Sequence, residues 1–304
     1  MSHQVRWLTL AGVLAVSLAL PMAAAGQGNP EPLGFKFNTG QSVQPIFEGW
    51  AHNPDGTFAF YFGYINRNYV ETPSVPIGPE NKIEPGDADR GQPTLFNTRI
   101  RRMAFKVVVP KDWGKKELVW TLAVHGETLK AVGWLQPEWE IDPIYGGKER
   151  NDESLKNKPP TLALESPGSA TVSTPITLSA AVTDDGLPVP KPRRRAAVGQ
   201  ETPPTLKPDP NQPEIVLNVP QVAGRGRGGA PQGLVVNWIV WRGPANATFS
   251  PATVPVKGKD AKATVTATFE KPGTYVLRAT ANDGELKVEK DVTVTVSGTR
   301  TSQQ

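Results

Sequence analysis

The chain has 304 residues, with 33 Lys and Arg, 29 Asp and Glu, and a formal net charge of +4. That charge is too small to favour nucleic acid as a partner. The lack of cysteine excludes a disulfide framework, a thiol nucleophile and lipid attachment at a cysteine. The length is sufficient for two hydrophobic cores, on which an exported protein without disulfides must rely.

Residues 1–26 predict a secretory signal peptide. Arg6 supplies positive charge, residues 8–20 form an apolar core, and three alanines at 23–25 suit cleavage. The apolar run is short for a membrane span. Since no later segment is comparably apolar, we expect an exported mature chain, periplasmic or extracellular, with no membrane span.

Residues 34–142 predict an aromatic-rich β-sandwich domain, because strand-like alternation recurs and no long window has helical periodicity. The run from Phe58 to Tyr64 alternates behind a turn at residues 53–56. A proline-rich loop is expected between Val70 and Arg99. The other predicted strands are 103–109, 118–124 and 129–135, the last two forming a hairpin with a four-residue loop at 125–128.

Residues 143–160 predict a linker, and residues 161–297 predict a second β-sandwich domain, followed by a tail at 298–304. The linker is charged and ends in two prolines. In the second domain, strand-like runs are separated by Asp-Gly and Pro-Gly turns. The predicted strands are 176–182, 234–241, 263–269, 273–281 and 286–296.

A series of short motifs occurs in order along the second domain: Pro160-Thr161, residues 177–180, Asp184-Asp185-Gly186, Asn237-Trp238, Arg242-Gly243-Pro244, Thr268-Phe269, Pro272-Gly273-Thr274-Tyr275, Leu277 and Asn282-Asp283-Gly284. In the order and spacing of these motifs, the second domain resembles a PKD-type, immunoglobulin-like extracellular domain. The resemblance implies a seven-stranded sandwich that serves extracellular bacterial proteins as a spacer or interaction module. The resemblance does not extend to the N-terminal domain.

The chain departs from that family at residues 187–233, where a short link between strands is usual. This insertion is rich in proline and low in complexity, and we expect most of it to be disordered. Its arginines could meet an anionic polymer, but it has no aromatic residue on which nucleic acid bases could stack. The predicted fold class is therefore all-β: two immunoglobulin-like β-sandwich domains in tandem, the second with a long disordered insertion.

Catalytic patterns are sparse. His52 and His125 adjoin turn sequences, and no nucleophile motif or phosphate-binding glycine loop occurs. The remaining enzymatic route is a carboxylate pair from Glu138, Glu140 and Asp142, which would share one face if extended. Acids alternating with Trp and Ile are also typical of an ordinary surface strand. We therefore predict that the protein is not an enzyme and needs no cofactor.

Aromatic residues near polar ones are the candidates for ligand binding, because sugar rings stack on exposed aromatic faces. The alternative is core packing, since aromatics dominate sandwich cores. Loop ends on a rigid sandwich commonly carry recognition residues. The predicted ligand-binding residues are Trp50, Arg67, Tyr69, Trp113 and Trp139.

No metal site is predicted, although Asp184, Asp185 and Asp283 are calcium candidates at loops that close strands. Turn chemistry explains the same residues, because Asp and Asn side chains accept backbone hydrogen bonds in tight turns.

Together these patterns predict an exported, non-catalytic binding or structural module of the bacterial envelope or secreted fraction. Its expected partner is a polysaccharide or an envelope protein, and not nucleic acid. Two alternatives stay open: a polysaccharide hydrolase that uses N-terminal carboxylates, and a passive spacer in a surface assembly. The sequence leaves the oligomeric state open.

Overall fold

The computed structural model describes residues 37–142, 152–189, 233–258 and 260–298. The predicted signal peptide, nearly all of the insertion, half of the linker and nearly all of the tail lie outside these ranges. The described residues belong to one compact unit, Phe37–Gln304. Their architecture is all-β and built from paired sheets, which confirms the predicted fold class.

Six strands of the N-terminal half form two three-stranded sheets, ordered β1-β2-β4 and β3-β5-β6. The strands are β1 (Val43–His52), β2 (Phe58–Asn66), β3 (Asn81–Glu84), β4 (Arg99–Val109), β5 (Leu118–Val124) and β6 (Glu127–Gly133). All pairings within these sheets are antiparallel.

The core of the N-terminal half is aromatic, as the alternation in β2 predicts. Phe60, Phe62 and Tyr64 are completely buried on one face of β2. Phe62 stacks on Phe105 with 5.5 Å between ring centroids, and Trp120 meets Phe105 edge-on at 5.0 Å. Edge-on and offset contacts of this kind stabilise aromatic pairs beyond the area that they bury.

The β5–β6 hairpin differs from the prediction in its loop, which has two residues and not four. His125 and Gly126 both have positive φ, 53° and 78°. Those angles are typical of a type I′ turn, whose twist matches that of the flanking strands. Thr128 therefore pairs with Ala123 within the ladder.

The proline-rich segment contains one more strand, β3, which its composition did not predict. Asn81 begins this strand and is completely buried. Its side-chain amide donates to the carbonyls of Val75 and Pro93 at 3.0 and 2.8 Å, and its oxygen accepts from Trp120 Nε1 at 3.0 Å. One polar side chain thus ties the segment to the core.

The C-terminal half has a five-stranded sheet ordered β12-β10-β14-β15-β8 and a four-stranded sheet ordered β11-β13-β9-β7. A short helix, α1 (Asp152–Lys156), precedes it, and a 3₁₀ turn spans Pro137–Trp139. The strands are β7 (Thr161–Leu164), β8 (Ser169–Thr171), β9 (Ile176–Thr183), β10 (Val235–Arg242), β11 (Ala247–Ser250), β12 (Thr253–Pro255), β13 (Asp260–Phe269), β14 (Gly273–Asn282) and β15 (Lys287–Ser297).

The second core lies between these two sheets. It follows from strict alternation in β13 and β14, where every second side chain is buried. The turn at residues 270–272 joins these strands and brings Phe269 against Tyr275, with 4.7 Å between ring centroids. Gly273, at φ 142°, passes close to Pro244.

The two halves exchange side chains across their contact. Trp241 of β10 packs in the first core, whereas Leu95 of the proline-rich segment packs in the second. Arg242 adds a bidentate pair with Asp89, at 2.7 and 2.8 Å. Among the described residues, no helix is both long and apolar enough to cross a bilayer.

Candidate functional site

Two of the predicted binding residues, Trp50 and Trp113, are buried, with 6% and 7% of their surface exposed. The indole of Trp50 donates to the Gln136 carbonyl at 2.7 Å, and that of Trp113 donates to the Lys116 carbonyl at 2.7 Å. Their rings therefore serve the N-terminal core and present no open face on which a sugar could stack.

Trp139 lies on the surface, on a segment that packs against β1. The Ile141 amide donates to the Trp50 carbonyl at 2.9 Å. Gly49 permits this approach, because a Cβ there would meet the Ile141 side chain and the Trp139 carbonyl. The segment is not the extended strand considered for Glu138, Glu140 and Asp142, since residues 137–139 form a 3₁₀ turn. The three carboxylates therefore do not share a strand face.

Trp139 is the exposed member of an aromatic stack. It is 39% exposed, lies 5.2 Å from Phe47 at an interplanar angle of 19°, and lies 5.4 Å from Trp134 at 29°. Phe47 is buried and Trp134 is half-buried. Trp139 therefore contacts both other rings, and these contacts hold its indole in a fixed orientation at the surface.

Polar groups border this stack. His52 Nε2 lies 3.9 Å from Glu140 Oε1, and both side chains are more than half exposed. Glu138, next to Trp139 in the chain, is exposed as well. We call the following residues the tryptophan patch: Trp134, Trp139, the two acids Glu138 and Glu140 that flank Trp139 in the chain, and His52 beside Glu140. Exposed aromatic rings beside hydrogen-bonding groups are typical of small-ligand sites.

Two members of the tryptophan patch were missed by sequence reasoning. Trp134 was placed inside a predicted strand, and His52 was interpreted as a turn residue. His52 instead ends β1, where its ring lies 5.2 Å from Trp50 and 5.0 Å from Phe58. The sequence feature that could have indicated the patch is the presence of two tryptophans and two acids within residues 134–140.

Arg67 and Tyr69 lie elsewhere, at the end of β2. Arg67 is exposed, and Tyr69 is half-buried with the Arg99 guanidinium 4.3 Å from its ring centroid. The Tyr69 amide donates to the Phe37 carbonyl, and Asn68 exchanges hydrogen bonds with Gln41. This cluster joins residues 37–41 to the sandwich.

The calcium candidates are near one another, but they serve the turns. Asp185 accepts from the amides of Lys158 and Leu187, and Asp283 accepts from those of Glu285 and Leu286. Asp184 accepts from Gly186. Within the described ranges, no three His, Asp or Glu side chains are grouped so as to hold a metal ion.

Asp184 nevertheless lies in an unfavourable environment for a carboxylate. Its Oδ1 is buried and has no hydrogen-bond partner. Burial raises the pKa of Asp184, and the negative charges of Asp283 and Asp185 raise it further, against the lowering effect of the Gly186 amide. This aspartate therefore resists ionisation in the folded protein.

No protein-family model matches the chain, and no curated protein sequence matches it. Solved structures align over most of its length at 12% identity. The D00-D0 domain of intimin covers 86% of this chain and 96% of its own, with a TM-score of 0.24. Domains 4 and 5 of the S-layer protein SbsC cover 84% and 98%, with a TM-score of 0.20. Both TM-scores are low, so neither likeness indicates a function for this chain.

Proposed function

We propose that the protein is an exported, non-catalytic carbohydrate-binding module of the bacterial envelope or secreted fraction. The observation that carries this proposal is the stacked pair of Trp134 and Trp139, with Trp139 exposed on the surface. An indole face removes the apolar face of a sugar ring from water, and this contact needs no charged group on the sugar.

The charged side chains of the tryptophan patch restrict which sugars are expected to bind there. Glu138 and Glu140 are exposed acids beside the indole rings, and His52 is the one basic group among the residues of the patch. Carboxylates accept hydrogen bonds from sugar hydroxyls or from the ammonium of an amino sugar, and they repel uronic acids. The expected ligands are therefore neutral or amino-sugar polysaccharides.

The way in which the patch is held also supports binding. Trp139 rests on the buried ring of Phe47, and its segment is fixed to β1 through Trp50. A ligand that meets side chains already in place loses less of its binding free energy to ordering them. Export remains a prediction that depends on residues 1–26, which lie outside the described ranges.

The test is a titration of the mature protein with a polysaccharide panel, followed by tryptophan fluorescence and affinity electrophoresis. Trp139→Ala and Trp134→Ala are expected to weaken binding about tenfold or more, while Trp139→Phe keeps part of the affinity. Val108→Ala is the control, because Val108 is an apolar side chain exposed on β4. Equal binding by the wild type and Trp139→Ala, or no binding across the panel, would refute the proposal.

A structural role is the second candidate, favoured by the exchange of Trp241 and Leu95 between the two cores. Such an exchange couples the two halves and suits a spacer that must keep its shape. Solution size measured at several concentrations separates the candidates, because a spacer in a surface assembly should associate and a monomeric binder should not.

A further inference from the structure

A pocket lies where β4 meets the five-stranded sheet, and its volume is about 240 Å³. The sheet contributes Asn237 and Thr280, which face each other across the β10–β14 ladder. Arg278 and Trp241 border the pocket from the same sheet, and Arg101 borders it from β4. Neither the tryptophan patch nor the calcium candidates contribute to it.

The unusual member of this pocket is Arg101. Its side chain is half-buried, and its Nε is fully buried without a hydrogen-bond partner. The other cations bordering the pocket are paired within the described part of the chain: Arg102 with Glu48, Arg278 with Asp291, and Lys287 with Glu289. Arg101 forms no ion pair with any described residue. The one side chain that interacts with its guanidinium in the described structure is the hydroxyl of Tyr64, and burial raises the pKa of that hydroxyl, so it stays uncharged. Arg101 therefore has a neutral neighbour but no anionic partner, and a partly buried charge without one is unfavourable.

The backbone around Arg101 is shaped by a bulge in β4. The β2–β4 register pairs Phe62 with Phe105 and then Tyr64 with Arg101, so residues 102–104 oppose Gly63 alone. Within the bulge Met103 has φ 45°. Bulges re-aim side chains and are frequent beside functional sites.

The bulge is held by Glu48, whose side chain is only 2% exposed. Its carboxylate accepts from the Met103 amide at 2.8 Å and from Arg102 Nε at 2.7 Å. Gly63 makes room, because a Cβ there would collide with the Glu48 carboxylate and the Arg101 carbonyl. Because the Glu48 carboxylate already accepts hydrogen bonds from Met103 and Arg102, it does not pair with Arg101.

We propose that this pocket binds an oxyanion, a carboxylate or sulfate group, through the guanidinium of Arg101. Guanidinium groups bind such anions with two parallel hydrogen bonds. The Asn237 amide and the Thr280 hydroxyl border the same space and can donate to the anion or to the molecule that carries it. The volume suits a free anion or a single acidic sugar residue.

Glu289 is the one acid that borders the pocket. It is engaged by Lys287 at 2.8 Å and by Arg278 at 3.6 Å. Its charge is therefore offset locally, and the positive charge of Arg101 dominates the site. The acidic ligand expected here differs in charge from the neutral or amino sugars expected at the tryptophan patch, so the two sites can be tested separately.

The test is calorimetric titration of the mature protein at constant ionic strength with sodium sulfate and sodium glucuronate. Glucose, the uncharged counterpart of glucuronate, is the control. Saturable binding of sulfate and glucuronate but not glucose is expected. If glucuronate binds more tightly than sulfate, the pocket takes an acidic sugar; equal affinities indicate that it takes the free oxyanion. Trp241 borders the pocket, so tryptophan emission should change on binding.

Arg101→Gln should weaken binding about tenfold or more, because the charged hydrogen bonds are lost. Lys130→Gln, which removes an exposed charge on β6, should leave it unchanged. Arg101→Met should raise the melting temperature without ligand, since it removes a half-buried charge that has no anionic partner, and sulfate should no longer raise it further. No saturable binding of either anion, or equal binding by Arg101→Gln, would overturn the proposal.

Discussion

The guanidinium carbon of Arg278 lies 3.6 Å from the ring centroid of Trp241. Trp241 packs in the first core, although its strand belongs to the second half. Arg278 also donates to the Ala104 carbonyl of β4 at 2.9 Å and forms a bidentate pair with Asp291. One side chain therefore contacts both halves through stacking, a backbone hydrogen bond and an ion pair.

Arg278→Lys is expected to lower the free energy of unfolding by about 1–3 kcal/mol. Lysine cannot form the bidentate pair with Asp291 while also bonding to Ala104, and its ammonium does not stack as a plane on Trp241. Urea denaturation measures the change. Lys262→Ala is the control, because it breaks an exposed pair with Glu165 and should change stability little. Equal effects of both variants would contradict a special role for Arg278.

Gly63→Ala should destabilise the fold by about 1–3 kcal/mol, because the added methyl group collides with the Glu48 carboxylate and the Arg101 carbonyl. The measurement is the shift in the urea midpoint. Gly298→Ala is the matched control, since a Cβ at that position meets nothing within 4 Å. A Gly63→Ala protein as stable as wild type would mean that the bulge in β4 accommodates the methyl group without loss.

Asn81→Ala should cost about 3 kcal/mol, since it leaves the carbonyls of Val75 and Pro93 and the indole NH of Trp120 without partners in the core. Thermal and urea unfolding both report this loss. The control is Asn246→Ala, which removes one exposed hydrogen bond to the Ala247 amide. A loss no larger than that of the control would show that water replaces the missing partner.

Asp184→Asn should stabilise the protein at pH 7 and have little effect at pH 3. The raised pKa of Asp184 means that its ionised form is disfavoured by the fold. This penalty is absent below the pKa of the unfolded state and grows as the pH rises through the pKa of the folded state. Asparagine stays neutral and can still accept from Gly186. Melting temperatures across this pH range provide the measurement.

Asp185→Asn is the contrasting variant. Each side-chain oxygen of Asp185 accepts a hydrogen bond from a backbone amide, one from Lys158 and the other from Leu187. An asparagine side chain has only one oxygen and could accept only one of these hydrogen bonds. We therefore expect Asp185→Asn to be less stable than wild type at pH 7. If Asp184→Asn were destabilising as well, the raised pKa of Asp184 would not reflect a cost to the fold.

Local patterns in the sequence were sufficient to predict many of the strands. Alternation in residues 58–64 and 263–281 predicts strands whose buried faces the structure confirms, because a strand side chain faces either the core or solvent with period two. The same reasoning placed the β5–β6 hairpin but not its two-residue loop, since the positive φ of His125 has no signature in its residue type.

Tertiary structure alone decided which aromatic and charged residues are available to a ligand. Trp113 and Trp139 have similarly polar neighbours in the sequence, yet one is buried and the other exposed, because burial depends on segments distant in the chain. Arg101 resembles its neighbours Arg99 and Arg102 in sequence. Its lack of a carboxylate partner results from a bulge held by Glu48, 53 positions before it, and from strands that begin more than 130 residues after it. Composition and periodicity therefore determined the class of fold, whereas long-range packing decided which aromatic side chains are exposed and which charged side chains have an ionic partner.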